Sequence, residues 1–166
     1  NWLYNQTAPA LTIINTNISV GNGTGIEFFN ARNGTIYNNT IKGVHWGVYM
    51  NGSLSNSILS NVISTNGTSD NYGIYLFNSS YGKINLNNVS TRGASFNNYG
   101  IYLFNSSLGN ISLNTISTNG TFDSNYGIFL RSSSSSNNII SNNISTSGTF
   151  NNYGMLLSSS SSNKIS

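Results

Sequence analysis

Three acids, six basic residues and one histidine are all that this 166-residue chain offers for acid–base, metal or electrostatic chemistry. Two of the acids, Asp70 and Asp123, lie in equivalent corner insertions of an internal repeat, two repeats apart. Stacked repeats would put them about 10 Å from each other, near the wide limit for an inverting pair of carboxylates. Both also sit in turn-forming runs, Thr68-Ser69-Asp70-Asn71 and Phe122-Asp123-Ser124-Asn125, and the turn reading is the stronger. Glu27 stands alone at an outward strand position and reads as a solvated acid. His45, beside Trp46, has no second imidazole, thiolate or carboxylate cluster with which to hold a metal. Arg32, Lys42, Lys83, Arg92, Arg131 and Lys164 fall at different places in the repeat, Lys83 and Lys164 excepted, so they form no basic stripe for nucleic acid. No catalytic residue, metal site or cofactor is therefore expected, and no enzyme.

Covalent modification is better represented. Thirteen asparagines head an Asn-x-Ser/Thr sequon: Asn5, Asn17, Asn22, Asn33, Asn38, Asn51, Asn66, Asn78, Asn88, Asn105, Asn110, Asn119 and Asn143. Composition alone would give roughly 8 or 9. All five Asn-Gly dipeptides, at Asn22, Asn33, Asn51, Asn66 and Asn119, are followed by Thr or Ser. Asn-Gly marks exposed turns, so these are the expected sites of N-linked glycans. Composition plus copying of the repeat is the competing explanation.

The elements that carry these residues follow from composition and period. Only 5% of the residues are charged, while Asn supplies 32 and Ser plus Thr 44. The 37% apolar content and 18 Tyr and Phe residues exclude a disordered chain. There is no cysteine, hence no disulfide framework. No apolar run of about 18 residues would span a membrane. No signal peptide is visible; the chain is either mature or cut from something longer.

Tyr72-Gly73-Ile74-Tyr75-Leu76 recurs 27 residues later from Tyr99, again from Tyr126, and as Tyr153-Gly154-Met155-Leu156-Leu157. Earlier copies begin at Trp46 and Thr24, and Asn1 to Asn5 reads as a degenerate copy with Leu3 at the Ile position. A second signature, Ile-x-x-Asn-x-(Ile or Val), follows in each repeat, from Ile36, Ile58, Ile84, Ile111 and Ile139. The extra residues of the longer copies fall in one corner, as at Asn66 to Asn71 and Asn119 to Asn125, which a solenoid tolerates because its other corners keep register. Apolar residues alternate with period two, and β-branched and aromatic residues outnumber good helix formers. The expected fold is all-β: a single-stranded parallel β-helix of about six and a half coils. It is read as one domain over residues 1–166, with 1–23 a degenerate first coil and 24–166 regular. At about 4.8 Å per coil the rod is roughly 30 Å long.

The expected inward rows are Ile26, Val48, Ile74, Ile101, Ile128 and Met155, then Phe28, Met50, Leu76, Leu103, Leu130 and Leu157, with two more from the Ile-x-x-Asn-x-Ile signature. Asn39, Asn61, Asn87, Asn114 and Asn142 form a candidate asparagine ladder at a tight corner, each tolerating the left-handed conformation there and bonding its neighbours through the side-chain amide. Outside, Tyr4, Tyr49, Tyr75, Tyr102 and Phe129 share one position, and Phe29, Phe77 and Phe104 lie two residues further on. This strip either stabilises the coils by ring stacking or is an exposed contact surface for sugar rings or another subunit. The row Trp46, Tyr72, Tyr99, Tyr126 and Tyr153 has core parity at the corner and is expected to bury its rings.

The Gly-Ile-Tyr-Leu and Ile-x-x-Asn-x-Ile-Ser units resemble the right-handed parallel β-helix repeats of the pectate-lyase-like superfamily. The likeness is nearest to periplasmic copper-maturation (NosD-like) repeats and to repeats of carbohydrate-binding proteins and sugar hydrolases. It covers residues 24–166 well and 1–23 weakly. Such repeats are also common in archaeal surface proteins. Lyases and hydrolases of this superfamily work with clustered acids and an Arg or Lys, which this chain lacks, and a copper-binding role is not carried over to the single His45. One fold hosts many functions, so the resemblance specifies architecture rather than activity.

The expected function is that of a non-catalytic structural glycoprotein, extracellular or at the cell surface, such as a stalk or filament subunit. Residue 166 falls mid-coil and neither end shows a cap, so either more chain continues the solenoid or another copy stacks there, head to tail or laterally. A carbohydrate-binding module using the aromatic strip, with polysaccharide as partner, is the alternative. A degenerate polysaccharide lyase or hydrolase is a weaker one. No nucleic acid and no membrane span are expected.

Overall fold

In the computed structural model, described over residues 10–21, 23–68, 70–94, 97–121 and 124–166 and for the backbone of Leu3–Tyr4, one left-handed turn residue after another breaks the chain into short strands. Sheet A stacks β1 (Leu3–Tyr4), β4 (Thr24–Phe29), β7 (Trp46–Asn51), β10 (Asn71–Phe77), β13 (Asn98–Phe104), β16 (Asn125–Arg131) and β19 (Asn152–Ser158). Sheet B stacks β2 (Thr12–Ile14), β5 (Thr35–Tyr37), β8 (Ser57–Leu59), β11 (Lys83–Asn85), β14 (Asn110–Ser112), β17 (Asn138–Ile140) and β20 (Lys164–Ile165). Sheet C stacks β3 (Asn17–Ser19), β6 (Thr40–Val44), β9 (Val62–Gly67), β12 (Asn88–Gly93), β15 (Thr115–Gly120) and β18 (Asn143–Ser147). All the pairings are parallel, and like residues stand in register from coil to coil. Five turns are complete, and the leading and trailing ones are partial, slightly fewer coils than the sequence led us to expect. Among the described residues no helix is long and apolar enough to cross a membrane.

The inward rows are as expected. Ile26, Val48, Ile74, Ile101 and Ile128 are buried, as are Phe28, Met50, Leu76, Leu103 and Leu130, and they pack with the isoleucines of sheets B and C into one core. Met155 and Leu157, in the trailing coil, are half-buried. The first coil is one place out of the alignment read from sequence: Leu3 pairs with Glu27 and Tyr4 with Phe28, so Tyr4 leaves the row of Tyr49 and Tyr75. Its side chain lies outside the described residues.

Polar ladders hold the corners. In the Asn39–Asn142 ladder each Oδ1 accepts from the backbone N–H and the Nδ2 of the ladder residue one coil earlier, at 2.9–3.0 Å for Asn61, Asn87, Asn114 and Asn142. Each Nδ2 also donates to an isoleucine carbonyl of the preceding coil, as Asn87 does to Ile58 at 2.8 Å. These amides therefore satisfy main-chain groups that the corner would otherwise bury unpaired. The left-handed residue at this corner is not the ladder asparagine, as expected from sequence, but the one before it: Asn38, Ser60, Leu86, Leu113 and Ser141, with φ of 52–57°. The ladder side chain has to point inward, so the outward-facing neighbour makes the turn. Ser53, Ser79, Ser106 and Ser134 form a second buried ladder at the corner leaving sheet A.

Candidate functional site

The outer face of sheet A carries the aromatic residues, and a glycine decides how. In β10, Gly73 and Ile74 are both buried, so the inside–outside alternation breaks there and Tyr72 points outward with Tyr75 and Phe77. The Trp46–Tyr153 row, expected to bury its rings, does so only in part and on the outer face rather than in the inner core: Tyr99 is buried, Trp46, Tyr72 and Tyr126 are half-buried, and Tyr153 is exposed. The residue preceding the glycine is displaced to the outer face because the glycine itself takes the inner position. No larger residue fits: a Cβ on Gly100 would sit 2.7 Å from the Gly127 carbonyl oxygen and closer still to the Ile116 side chain.

Two columns of rings result. Tyr72, Tyr99 and Tyr126 stack at 5.1 and 5.0 Å with planes within 8°. Beside them Tyr75, Tyr102 and Phe129 stack at 4.8 and 5.1 Å within 10°. The columns meet edge to face, as Tyr99 does with Tyr102 at 5.3 Å and 71°. Trp46 starts the first column, stacked on Tyr72 at 5.9 Å, and Phe77 and Phe104 stack at 5.3 Å along the flank. Of the candidate contact strip, Tyr102 and Phe129 are each only 6% exposed, and Phe29, Tyr49, Tyr75, Phe77 and Phe104 are half-buried. The strip is thus less open than expected, because each ring covers the faces of its neighbours and leaves mainly its edge to solvent. Burial pushes the phenol pKa values of Tyr72, Tyr75, Tyr99 and Tyr102 up.

The charged candidates are dispersed. Glu27 lies outward on β4 in register with Tyr49, half-buried, and its burial raises its carboxyl pKa. Asp70 is exposed at a left-handed corner (φ 50°), where its Oδ1 accepts from Asn97 Nδ2 at 2.7 Å and its carbonyl from Trp46 Nε1 at 3.0 Å. Asp123 lies outside the described residues, so the carboxylate pair has no geometry here. His45 lines a shallow cleft of about 310 Å³ with Gly23, Thr24, Trp46 and Asp70. Among the described residues no three His, Asp or Glu side chains gather to hold a metal. Arg32, Lys42, Lys83, Arg92, Arg131 and Lys164 are all exposed.

The asparagines divide sharply. Asn5 and Asn22 lie outside the described residues. Of the eleven described sequon asparagines ten are exposed, with Asn51 half-buried, whereas only three of the other eighteen, Asn15, Asn30 and Asn151, are exposed. Asn17, Asn33, Asn38, Asn66, Asn88, Asn110, Asn119 and Asn143 lie on sheets B and C or in turns flanking sheet B. Asn78 and Asn105 lie at the turn leaving sheet A, joined at 2.8 Å, and Asn51 alone sits on sheet A. The Asn-Gly sites are not all turns as expected: Asn33 is a left-handed turn residue, but Asn51 is the last residue of β7 and Asn66 and Asn119 lie within β9 and β15, one residue from their ends. The sequence reading missed a further ladder, Asn71, Asn98, Asn125 and Asn152, whose amides link at 3.0 Å. Its signal was the Asn-Tyr-Gly tripeptide preserved at a spacing of 27.

No curated protein matches the chain, and no solved structure does either. Residues 2–166 match the family model for the right-handed β-helix region, which bears out the superfamily resemblance at the level of fold. A match over nearly the whole length, on a chain whose strands stack as parallel coils, places this protein in the right-handed β-helix family.

Proposed function

We propose that this protein is a non-catalytic, extracellular structural glycoprotein whose solenoid serves as a rod carrying N-linked glycans. The observation behind this is the division of the asparagines. Those that could accept a glycan face solvent, and those that build the ladders head no sequon and turn inward, with few exceptions. A glycan coat also accounts for the solubility of a chain with only 5% charged residues, since net charge is its usual source. Peptide mapping of native material after enzymatic glycan release is expected to find occupancy at Asn88, Asn110 and Asn143 and none at Asn87, Asn114 or Asn142. An intact mass equal to that of the bare chain would overturn the reading.

Self-association, head to tail or lateral, belongs to the same proposal, because coils with identical residues in register are templates for one another. Electron microscopy of native material that showed only dispersed monomers would count against it. Carbohydrate binding on the aromatic face is the weaker reading. A sugar ring needs an open aromatic face, and in the middle of the columns the stacking covers both faces of rings such as Tyr99 and Tyr75.

A further inference from the structure

We infer that the outer face of sheet A is a self-association surface on which two copies of this chain pair face to face with their solenoid axes antiparallel. This deepens the self-association proposed above by naming the face and the partner geometry.

Charge placement carries the inference. Among the described residues the outward positions of sheet A hold aromatic, aliphatic and small polar side chains, and two charges only, Glu27 on β4 and Arg131 on β16. They lie at opposite ends of the ring columns, four strands or about 19 Å apart along the axis, and two residues or roughly 7 Å apart along the strand direction. A two-fold axis running along β10 reverses the solenoid and keeps each row opposite itself. Glu27 of one copy then falls within side-chain reach of Arg131 of the second, and the same contact forms at the other end. Tyr75 meets Tyr75 near the axis. Pairing with parallel axes would instead set Glu27 level with Glu27 and Arg131 level with Arg131, a like-charge arrangement that costs affinity.

The area is sufficient for a specific contact. With the axis on β10, the five strands β4 to β16 face their counterparts; at about six residues each they present roughly 500 Å² per copy, so about 1,000 Å² is covered in the pair, the size at which specific interfaces begin. The surface chemistry suits it too. The stacked columns present ring edges and phenol hydroxyls, the mixture of apolar area and hydrogen-bonding groups that favours Tyr at interfaces. The described sequons, Asn51 apart, lie off this face; this last point alone rests on the glycan reading.

The test uses the full chain made in a host that adds no N-glycans, so its outcome is independent of whether native material is glycosylated. Sedimentation velocity over a broad micromolar range is expected to show a concentration-dependent dimer. Glu27→Arg and Arg131→Glu should each raise the dimer Kd tenfold or more, and the double swap should return it to within about threefold of the original. As a second measurement, Tyr75→Cys in this cysteine-free chain should be joined into a covalent dimer by a thiol-reactive bis-maleimide that spans about 10 Å, the spacing of facing sheets, while Tyr81→Cys, away from sheet A, should not. A chain that stays monomeric overturns the inference. So does a dimer indifferent to the single swaps, one not rescued by the double swap, or a Tyr81→Cys variant that cross-links as readily as the Tyr75→Cys variant.

Discussion

Replacing Asn87 by alanine tests whether the asparagine ladder is a principal support of the solenoid. Asn87 is 1% exposed, and its side chain takes part in four hydrogen bonds between coils. Its Oδ1 receives the Asn61 N–H and Asn61 Nδ2, and its Nδ2 reaches the Ile58 carbonyl and Asn114 Oδ1. Removing the amide orphans the Asn61 N–H inside the corner, at about 1–3 kcal/mol, and deletes three further bonds at about 0.5–1.5 kcal/mol each. A loss of about 4 kcal/mol is expected. With a urea m-value of about 2 kcal/mol/M, the unfolding midpoint followed by far-UV circular dichroism should fall by about 2 M. Asn88→Ala, at the exposed neighbouring position, should change stability by no more than about 0.5 kcal/mol. Asn142→Ala should cost less than Asn87→Ala, because Asn142 is half-buried and its side chain takes part in three such bonds. Equal midpoints for Asn87→Ala and Asn88→Ala would refute the reasoning.

Four other outcomes follow from the same geometry. Leu86 is 56% exposed with φ 57°, so Leu86→Asn should stabilise the chain by about 1 kcal/mol in chemical denaturation, asparagine being at ease where leucine is strained. Thr91 is buried with an unpartnered Oγ1, and Thr91→Val should raise stability by about 1 kcal/mol by the same measurement. Gly100→Ala should lower stability by about 3 kcal/mol or prevent folding, since its Cβ would strike the next coil and the Ile116 side chain, and expression with a thermal melt checks it. Because the pKa values of Tyr72, Tyr75, Tyr99 and Tyr102 are raised by burial, the unfolded chain sheds these protons first. Their contribution is therefore complete below the ordinary phenol pKa of about 10 and is lost as pH rises beyond it. Phenolate absorbance in the near ultraviolet should lag behind that of the urea-unfolded chain and then rise together with loss of the β-sheet signal.

Much of the fold could be read from residue spacing. The recurrence of Tyr-Gly-Ile at 27 residues and of Ile-x-x-Asn-x-Ile after it yielded the strands, the inward rows and the Asn39–Asn142 ladder, because a stacked coil must repeat its side chains in register to bury them. The exposed sequons were legible only as motifs; their division from the ladder asparagines needed burial. Glu27 and Arg131 each looked isolated in sequence, 104 positions apart, and only coil stacking puts them on one face.

What the sequence determined by itself was the period, and through it the parallel sheets and the like-on-like core, since these depend on nearest-neighbour repetition. What only the tertiary structure decided was direction. Parity counting placed the Trp46–Tyr153 row inside, but Gly47, Gly73, Gly100 and Gly127 press against the aliphatic side chains of sheet C and turn the preceding ring outward. Register likewise moved Tyr4 by one place, and the ladder's need for an inward amide gave the left-handed conformation to Ser60 and Leu86 rather than to Asn61 and Asn87. The exposure of the aromatic rows was settled last, by rings about 5 Å apart covering one another, a contact between residues 27 positions apart that no single repeat contains.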